Sequence, residues 1–166
     1  MSGDYTRTTR TCTFAELRPE LSASLRAYAL KYDLGDIESA TVACCETTSV
    51  KQKRGLFGGL LPGSDPDPVH YVGAILTPTQ LIWARNGAKS GTVAMGGRLK
   101  NLEIRSLHEL LPASAVTGDM RDGLDIFGFI NDSPERVSAF IGFGREPDAQ
   151  SFREAVKTAI AAAQSG

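Results

Sequence analysis

No hydrophobic stretch of this chain approaches the roughly 20 residues needed to span a bilayer, and the first thirteen residues are polar, with no apolar signal core. Net charge is nearly absent as well. Eighteen Lys and Arg stand against nineteen Asp and Glu, a formal −1, so no overall field gathers a polyanion and nucleic acid is not an expected partner. Cysteine is scarce: Cys12, Cys44 and Cys45 form an odd set that suits neither a disulfide framework nor a metal knuckle. Adjacent residues on a strand face opposite ways, so Cys44 and Cys45 would not converge on one metal, and buried or half-buried thiols are expected. His70 and His108 are the only histidines, and neither has a Cys or carboxylate at metal-ligand spacing. No Gly-x-x-x-x-Gly-Lys phosphate loop occurs, and 55–63 lacks the residues that would close one. The expectation is a cytoplasmic protein without cofactor or metal, and not an enzyme, although catalytic groups converge in space rather than in sequence.

What is present is enough apolar side chain, 42% of 166 residues, for one core, so a single domain over 1–166 is expected. In 18–33, Leu21, Leu25, Tyr28 and Tyr32 recur at helical spacing with Pro19 in the first turn, which predicts an amphipathic helix. Gly35 can supply the left-handed residue that ends it. Thr13 and Glu16 have capping-box spacing, but Pro19 would break a helix begun there, so the later start is preferred.

Strands are predicted at 40–50, 69–77, 81–85, 92–95 and 102–106. Thr77-Pro78-Thr79 makes a turn, and Asn86-Gly87 is a hairpin signal, with 88–91 able to lengthen the loop. Strands at 124–131 and 138–144 flank the loop Asp132-Ser133-Pro134-Glu135, and their interior glycines, Gly128, Gly142 and Gly144, lie among Phe127, Phe129, Phe140 and Phe143. Sharp sheet curvature with rings covering bare backbone is expected there. Asp148 is a good N-cap for a helix over 148–163 with an apolar stripe of Phe152, Val156 and Ile160. The pattern is α+β: a strongly curved antiparallel sheet over 40–145 covered by a C-terminal helix, with an additional N-terminal helix.

Ala74-Ile75-Leu76-Thr77-Pro78-Thr79-Gln80-Leu81-Ile82-Trp83 resembles the strand, turn, strand signature of bacterial pleckstrin-homology-like (PH-like) proteins. Gln80 stands where that signature has a basic residue. The hairpin over 123–144 and the helix over 148–163 are similar to the last strands and capping helix of that family. The resemblance implies a curved β-sandwich or partly open barrel closed by the C-terminal helix. It leaves the N-terminal helix and the loop 51–68 outside the generic pattern.

That loop is the candidate site. Lys51, Lys53 and Arg54 lie after the first predicted strand, where the membrane-binding members of the resembled family carry cations for phosphoinositide head groups. Leu56, Phe57, Leu60 and Leu61 follow among glycines, and four large apolar side chains need a cover. The protein's own core, a second subunit or a membrane interface would each serve. Trp83 alternates like a packing residue, and Asp119, Asp122 and Asp125 read as polar turn residues rather than a calcium loop. The resulting expectation is a non-enzymatic interaction or scaffold module, bound to a protein partner, to itself or to a lipid head group. Two alternatives stay open: a peripheral binder of anionic membrane through 51–63, and a small-molecule binding protein or enzyme with a pocket under the N-terminal helix.

Overall fold

A computed structural model describes residues 5–52, 66–105 and 122–166. Strands β1 (Tyr5–Thr11), β2 (Ala43–Lys51), β3 (Val69–Leu76), β4 (Gln80–Gly87) and β5 (Gly91–Arg98) form one antiparallel sheet in chain order. A smaller antiparallel sheet holds β6 (Leu102–Ile104), β7 (Gly123–Gly128) and β8 (Val137–Gly142), again in chain order. Helices α1 (Pro19–Lys31) and α2 (Ile37–Ala40) lie between β1 and β2, and α3 (Pro147–Ser165) follows β8. The fold is α+β with two antiparallel sheets and a C-terminal helix. No ladder joins the two sheets among the described residues, so they do not close into a barrel.

Strand alternation sorts the side chains into two cores. On one face of the large sheet, Cys44, Ile75, Ile82 and Ala84 pack with Leu21, Leu25, Tyr28 and Ala29 of α1. On the other, Cys45, Ala74, Leu76, Leu81 and Trp83 pack with Leu124, Ile126 and Ile141 of the small sheet and with Phe152, Val156 and Ile160 of α3. The middle strands β3 and β4 are covered on both faces, which is why their sequences run apolar instead of alternating. Gly73 lets α1 come close: a Cβ there would meet Leu17 Cδ2 at 3.2 Å and Leu21 Cδ1 at 3.3 Å.

Several local expectations change. The polar N-terminal segment is a strand, β1, paired with β2 from Tyr5↔Lys51 to Thr11↔Cys45. Its inward Thr9 hydroxyl meets Thr47 Oγ1 at 2.8 Å, and its outward amides are taken by carboxylates: Thr9 N donates to Glu146 Oε2 and Thr11 N to Asp148 Oδ2. Asp148 therefore does not cap α3, whose N-cap position is Glu146 and whose first turn carries Pro147. Thr13 and Glu16 do interact, Glu16 Oε2 accepting from Thr13 N at 2.7 Å, but they close a separate 3-10 turn, Phe14–Glu16. Pro19 then starts α1 without conflict.

At the other end of α1 Gly35 is left-handed as expected, at φ 74°, but the residue that ends the helix is Asp33, left-handed at φ 52°. Leu34 N donates to Ala29 O at 2.9 Å and Asp33 N to Leu30 O, the paired bonds of a Schellman ending. Asn86 and Gly87 both belong to β4, and the turn falls on residues 88–90, with Gly91 left-handed at φ 76°. Gly87 answers a different need, since a Cβ there would collide with the buried Asp67 carboxylate. The three glycines expected under aromatic rings meet other neighbours, Gly128 the Asn101 carbonyl, Gly142 the Arg7 side chain and Gly144 the Glu146 carboxylate; the glycine that a ring covers is Gly123, under Phe140.

Candidate functional site

Of the residues singled out on the long loop, Lys51 ends β2 and is half-buried, opposite Tyr5. Lys53, Arg54, Leu56, Phe57, Leu60 and Leu61 lie outside the described residues, as do His108 and Asp119. Lys51 N donates to Pro68 O at 2.8 Å, so the two ends of the connection meet. Register places Lys51, Ser49, Tyr5, Arg7 and His70 on one face at one end of the sheet, through the pairs Arg7↔Ser49 and Ser49↔His70. Tyr5 and His70 meet edge to face at 5.0 Å, and the Arg7 guanidinium lies 5.6 Å from the ring centres of both Tyr5 and Phe140. Asp122 forms a two-pronged bond with Arg145 Nε at 2.9 and 3.0 Å, and Trp83 is a core residue.

A cleft opens at the opposite end of the sheet, beside the C-terminus of α1. Its volume is about 740 Å³, within the range of small-molecule sites. The Schellman ending turns the chain so that Tyr32, Asp33 and Leu34 form one wall, continued by Ile37 and Ala40 of α2. Asp36 fixes α2 by accepting from Ser39 N and Ser39 Oγ, bonds that hold its carboxyl below the usual carboxylate range.

The second wall is the β3–β4 turn, Thr77 to Gln80. Thr77 Oγ1 accepts from Gln80 N at 3.0 Å and from Thr79 N at 3.4 Å, which holds the turn in shape. Arg98 is the cross-strand partner of Gln80. Leu99 N then donates to Thr79 O at 2.9 Å, beginning the 3-10 turn Leu99–Asn101 that carries Lys100. Ala163 of α3 completes the lining.

This cleft combines a partly apolar floor with charged edges. Leu34 and the Tyr32 ring are half-buried apolar lining with the buried Ile37 and Leu99 behind them, and Tyr32 is braced by Tyr28, ring centres 4.5 Å apart. Arg98 and Lys100 are exposed, and neither has an ion-pair partner among the described residues. Asp33 supplies a carboxylate on the facing wall. Such a site can hold an organic anion by two cations while an apolar body lies on Tyr32 and Leu34, over the buried Ile37 and Leu99.

Sequence reasoning does not find it, because its residues come from separate segments of the chain. The one local signal is Arg98-Leu99-Lys100, two cations flanking a buried Leu.

Among the described residues no group of three or more His, Cys, Asp and Glu is placed to hold a metal ion. Nor is any helix among them long and apolar enough to cross a membrane. No family model, curated protein or solved structure matches this chain.

Proposed function

We propose that the protein is a non-catalytic binding module of PH-like plan whose ligand is a small organic anion with an apolar body, held in the cleft between α1, α2 and the β3–β4 turn. The observation that carries this reading is the pair Arg98 and Lys100, exposed cations without an ion-pair partner among the described residues, beside the apolar lining of Tyr32, Leu34, Ile37 and Leu99. A second sheet of three strands and a closing helix are in keeping with the PH-like plan. The filled interior between the sheets leaves the ligand site outside the sandwich.

Titration with octanoate and octyl phosphate, followed by calorimetry and by the melting temperature, tests the reading, with octanol as the neutral control. Both anions should bind and raise the melting temperature, octanol should not, and Arg98→Ala should weaken binding about tenfold, in line with a charged hydrogen bond of ~1.5–3 kcal/mol. Equal binding of octanol, or of anions to Arg98→Ala, would remove the proposal.

A second reading, a protein partner added as a strand, is favoured by the outer edge of β5. Gly96 is bonded there by Asn131 through both its N–H and its carbonyl, whereas Thr92 and Ala94, next along that edge, carry no such bond among the described residues. An added strand would pair there, beside the exposed Val93.

A further inference from the structure

Cys12 and Cys44 face each other across β1 and β2. The register that pairs Thr11 with Cys45 continues one residue further, and Cys12 N donates to Cys44 O at 3.2 Å. The two sulfurs are 3.6 Å apart in the core under α1. Cys45 belongs to the opposite core and cannot substitute for Cys44. A hydrogen-bonded antiparallel pair holds its Cα atoms about 5.5 Å apart, inside the roughly 4.4–6.8 Å range of disulfides, so the backbone is already in place for a bond.

We propose that Cys12 and Cys44 are an oxidation site: a dithiol that reduces a small hydroperoxide and closes to an intrachain disulfide. With hydrogen peroxide the Cys12 sulfur attacks one oxygen, the O–O bond breaks, and the departing hydroxide takes up the proton that Cys12 gave up and leaves as water. Cys12 is then a sulfenic acid. The Cys44 sulfur attacks it, the S–O bond breaks, and that hydroxide leaves as a second water with the Cys44 proton. Two thiols and one hydrogen peroxide thus give one disulfide and two waters, and the two electrons pass from sulfur to oxygen.

The order of events follows from the surroundings of each sulfur. A hydrogen bond from Cys44, with the nearby Arg10 charge adding to it, holds the Cys12 thiol below the usual thiol range. The same bond and burial push Cys44 up. Cys12 is also the more exposed of the two, which assigns the attack on peroxide to Cys12 and leaves Cys44 to resolve. Both are buried, Cys12 at 9% exposure and Cys44 at 5%, which suits a peroxide better than a bulky disulfide reagent.

The bond would enclose residues 13–43, the whole of α1 and α2, and with them the cleft wall of Tyr32, Asp33, Leu34, Ile37 and Ala40. Its formation does not depend on whether that cleft binds a ligand. Closing a loop of this length restricts the unfolded chain and raises stability.

The test treats the reduced full-length protein with equimolar hydrogen peroxide, quenches in acid, alkylates under denaturing conditions and maps the peptides by mass. The expected product is a monomer two hydrogens lighter, with Cys12 linked to Cys44 and Cys45 alone alkylated. Its melting temperature should stand ~5 °C or more above that of the reduced form and return on adding dithiothreitol. Cys45→Ala should form the same bond, and Cys12→Ala should not. The proposal fails if all three cysteines remain alkylatable, if the bond includes Cys45, if cross-linked dimers form instead, or if Cys12 proceeds to sulfinic acid with Cys44 still free. Mapping of the wild-type chain alone separates these results, so a variant that does not fold costs nothing.

Discussion

The phenol of Tyr28 donates a 2.9 Å hydrogen bond to the carbonyl oxygen of Gly96, tying α1 to the edge strand β5. Asn131 N donates to the same oxygen at 2.8 Å, so the helix, the large sheet and the loop after β7 meet at one backbone group. Burial above all, with Tyr32 and Asp132 nearby, pushes the Tyr28 phenol up from its ordinary value. The folded state therefore keeps this proton where the unfolded chain would begin to release it, near pH 10. Stability tied to Tyr28 is full below that pH and lost as pH rises toward the folded value. Tyr28→Phe should cost about 1 kcal/mol at pH 7, because Gly96 O keeps its second donor, and should flatten the alkaline loss. Urea unfolding at pH 7 and pH 10.5 checks both.

Glu46 is the anchor at the other end of α1. It is buried, accepts from Arg18 N at 2.8 Å, and lies 3.3 Å from Arg10 Nη2 and 3.6 Å from Arg18 Nε. The Arg18 guanidinium in turn stacks on Tyr71, 3.6 Å from the ring centre. Glu46→Ala should cost roughly 2–3 kcal/mol, since it leaves the helix-entry amide without its acceptor and removes the counter-charge of Arg18 and Arg10, although Arg10 keeps the Glu16 carbonyl, and Glu46→Gln less, because its amide oxygen can still accept. The exposed pair Arg26 and Glu38, 3.0 Å apart, is the control: Arg26→Ala should change stability by no more than ~1 kcal/mol. Equal losses at the two sites in chemical denaturation would contradict the argument.

These contacts mark what the sequence can and cannot convey. Leu21, Leu25 and Tyr28 revealed α1 and Phe152, Val156 and Ile160 revealed α3, because each stripe depends only on local periodicity and the presence of a core. β1 was hidden because the residues it turns inward are polar. Thr9 is satisfied by Thr47, and the outer amides are satisfied by Glu146 and Asp148, 137 residues away in sequence. Asp148 shows the same limit from the other side: next to Pro147 it has the form of a cap, but a distant strand claims its carboxylate. The cleft was not legible: no residue of α1 lines it, and the space under that helix is filled by core side chains. Of its cations, Arg98 ends β5, placed there by the Gln80↔Arg98 register, and Lys100 lies in the 3-10 turn that follows.

Asp67 gives a prediction at the acid end. Its carboxylate, buried against the β4–β5 turn, accepts from Ser90 Oγ, Lys89 N and Ser90 N. The Ser90 hydroxyl first, then the Lys89 amide, holds its carboxyl below the usual carboxylate range. Because the folded value is the lower one, the contribution is present above the unfolded value near pH 3.9 and lost as pH falls through the folded value. Asp67→Asn should be less stable than the parent at pH 7, and the two stability curves should converge on acidification. Gly87→Ala should loosen the same turn by displacing the carboxylate. Parallel curves for parent and Asp67→Asn from pH 7 to pH 2 would show that the charge does not matter.

The last prediction concerns how β1 is kept from fraying. An edge strand exposes alternate amides to solvent, and a polar strand such as Tyr5–Thr11 buries little to hold it in place. Here Thr9 N is bonded to Glu146 Oε2 at 3.1 Å and Thr11 N to Asp148 Oδ2 at 2.8 Å, while Gly144 N donates to Thr9 Oγ1 at 2.8 Å. The start of α3 thus clasps the free edge of β1. Replacing both Glu146 and Asp148 with Ala should accelerate amide hydrogen exchange at Thr9 and Thr11 by tenfold or more, taking each charged hydrogen bond as ~1.5–3 kcal/mol. Exchange in β3 and β4, which are buried on both faces, should change only by the global loss of stability. If Thr9 and Thr11 remain as protected as those middle strands in the double variant, the clasp is redundant and pairing with β2 alone holds the strand.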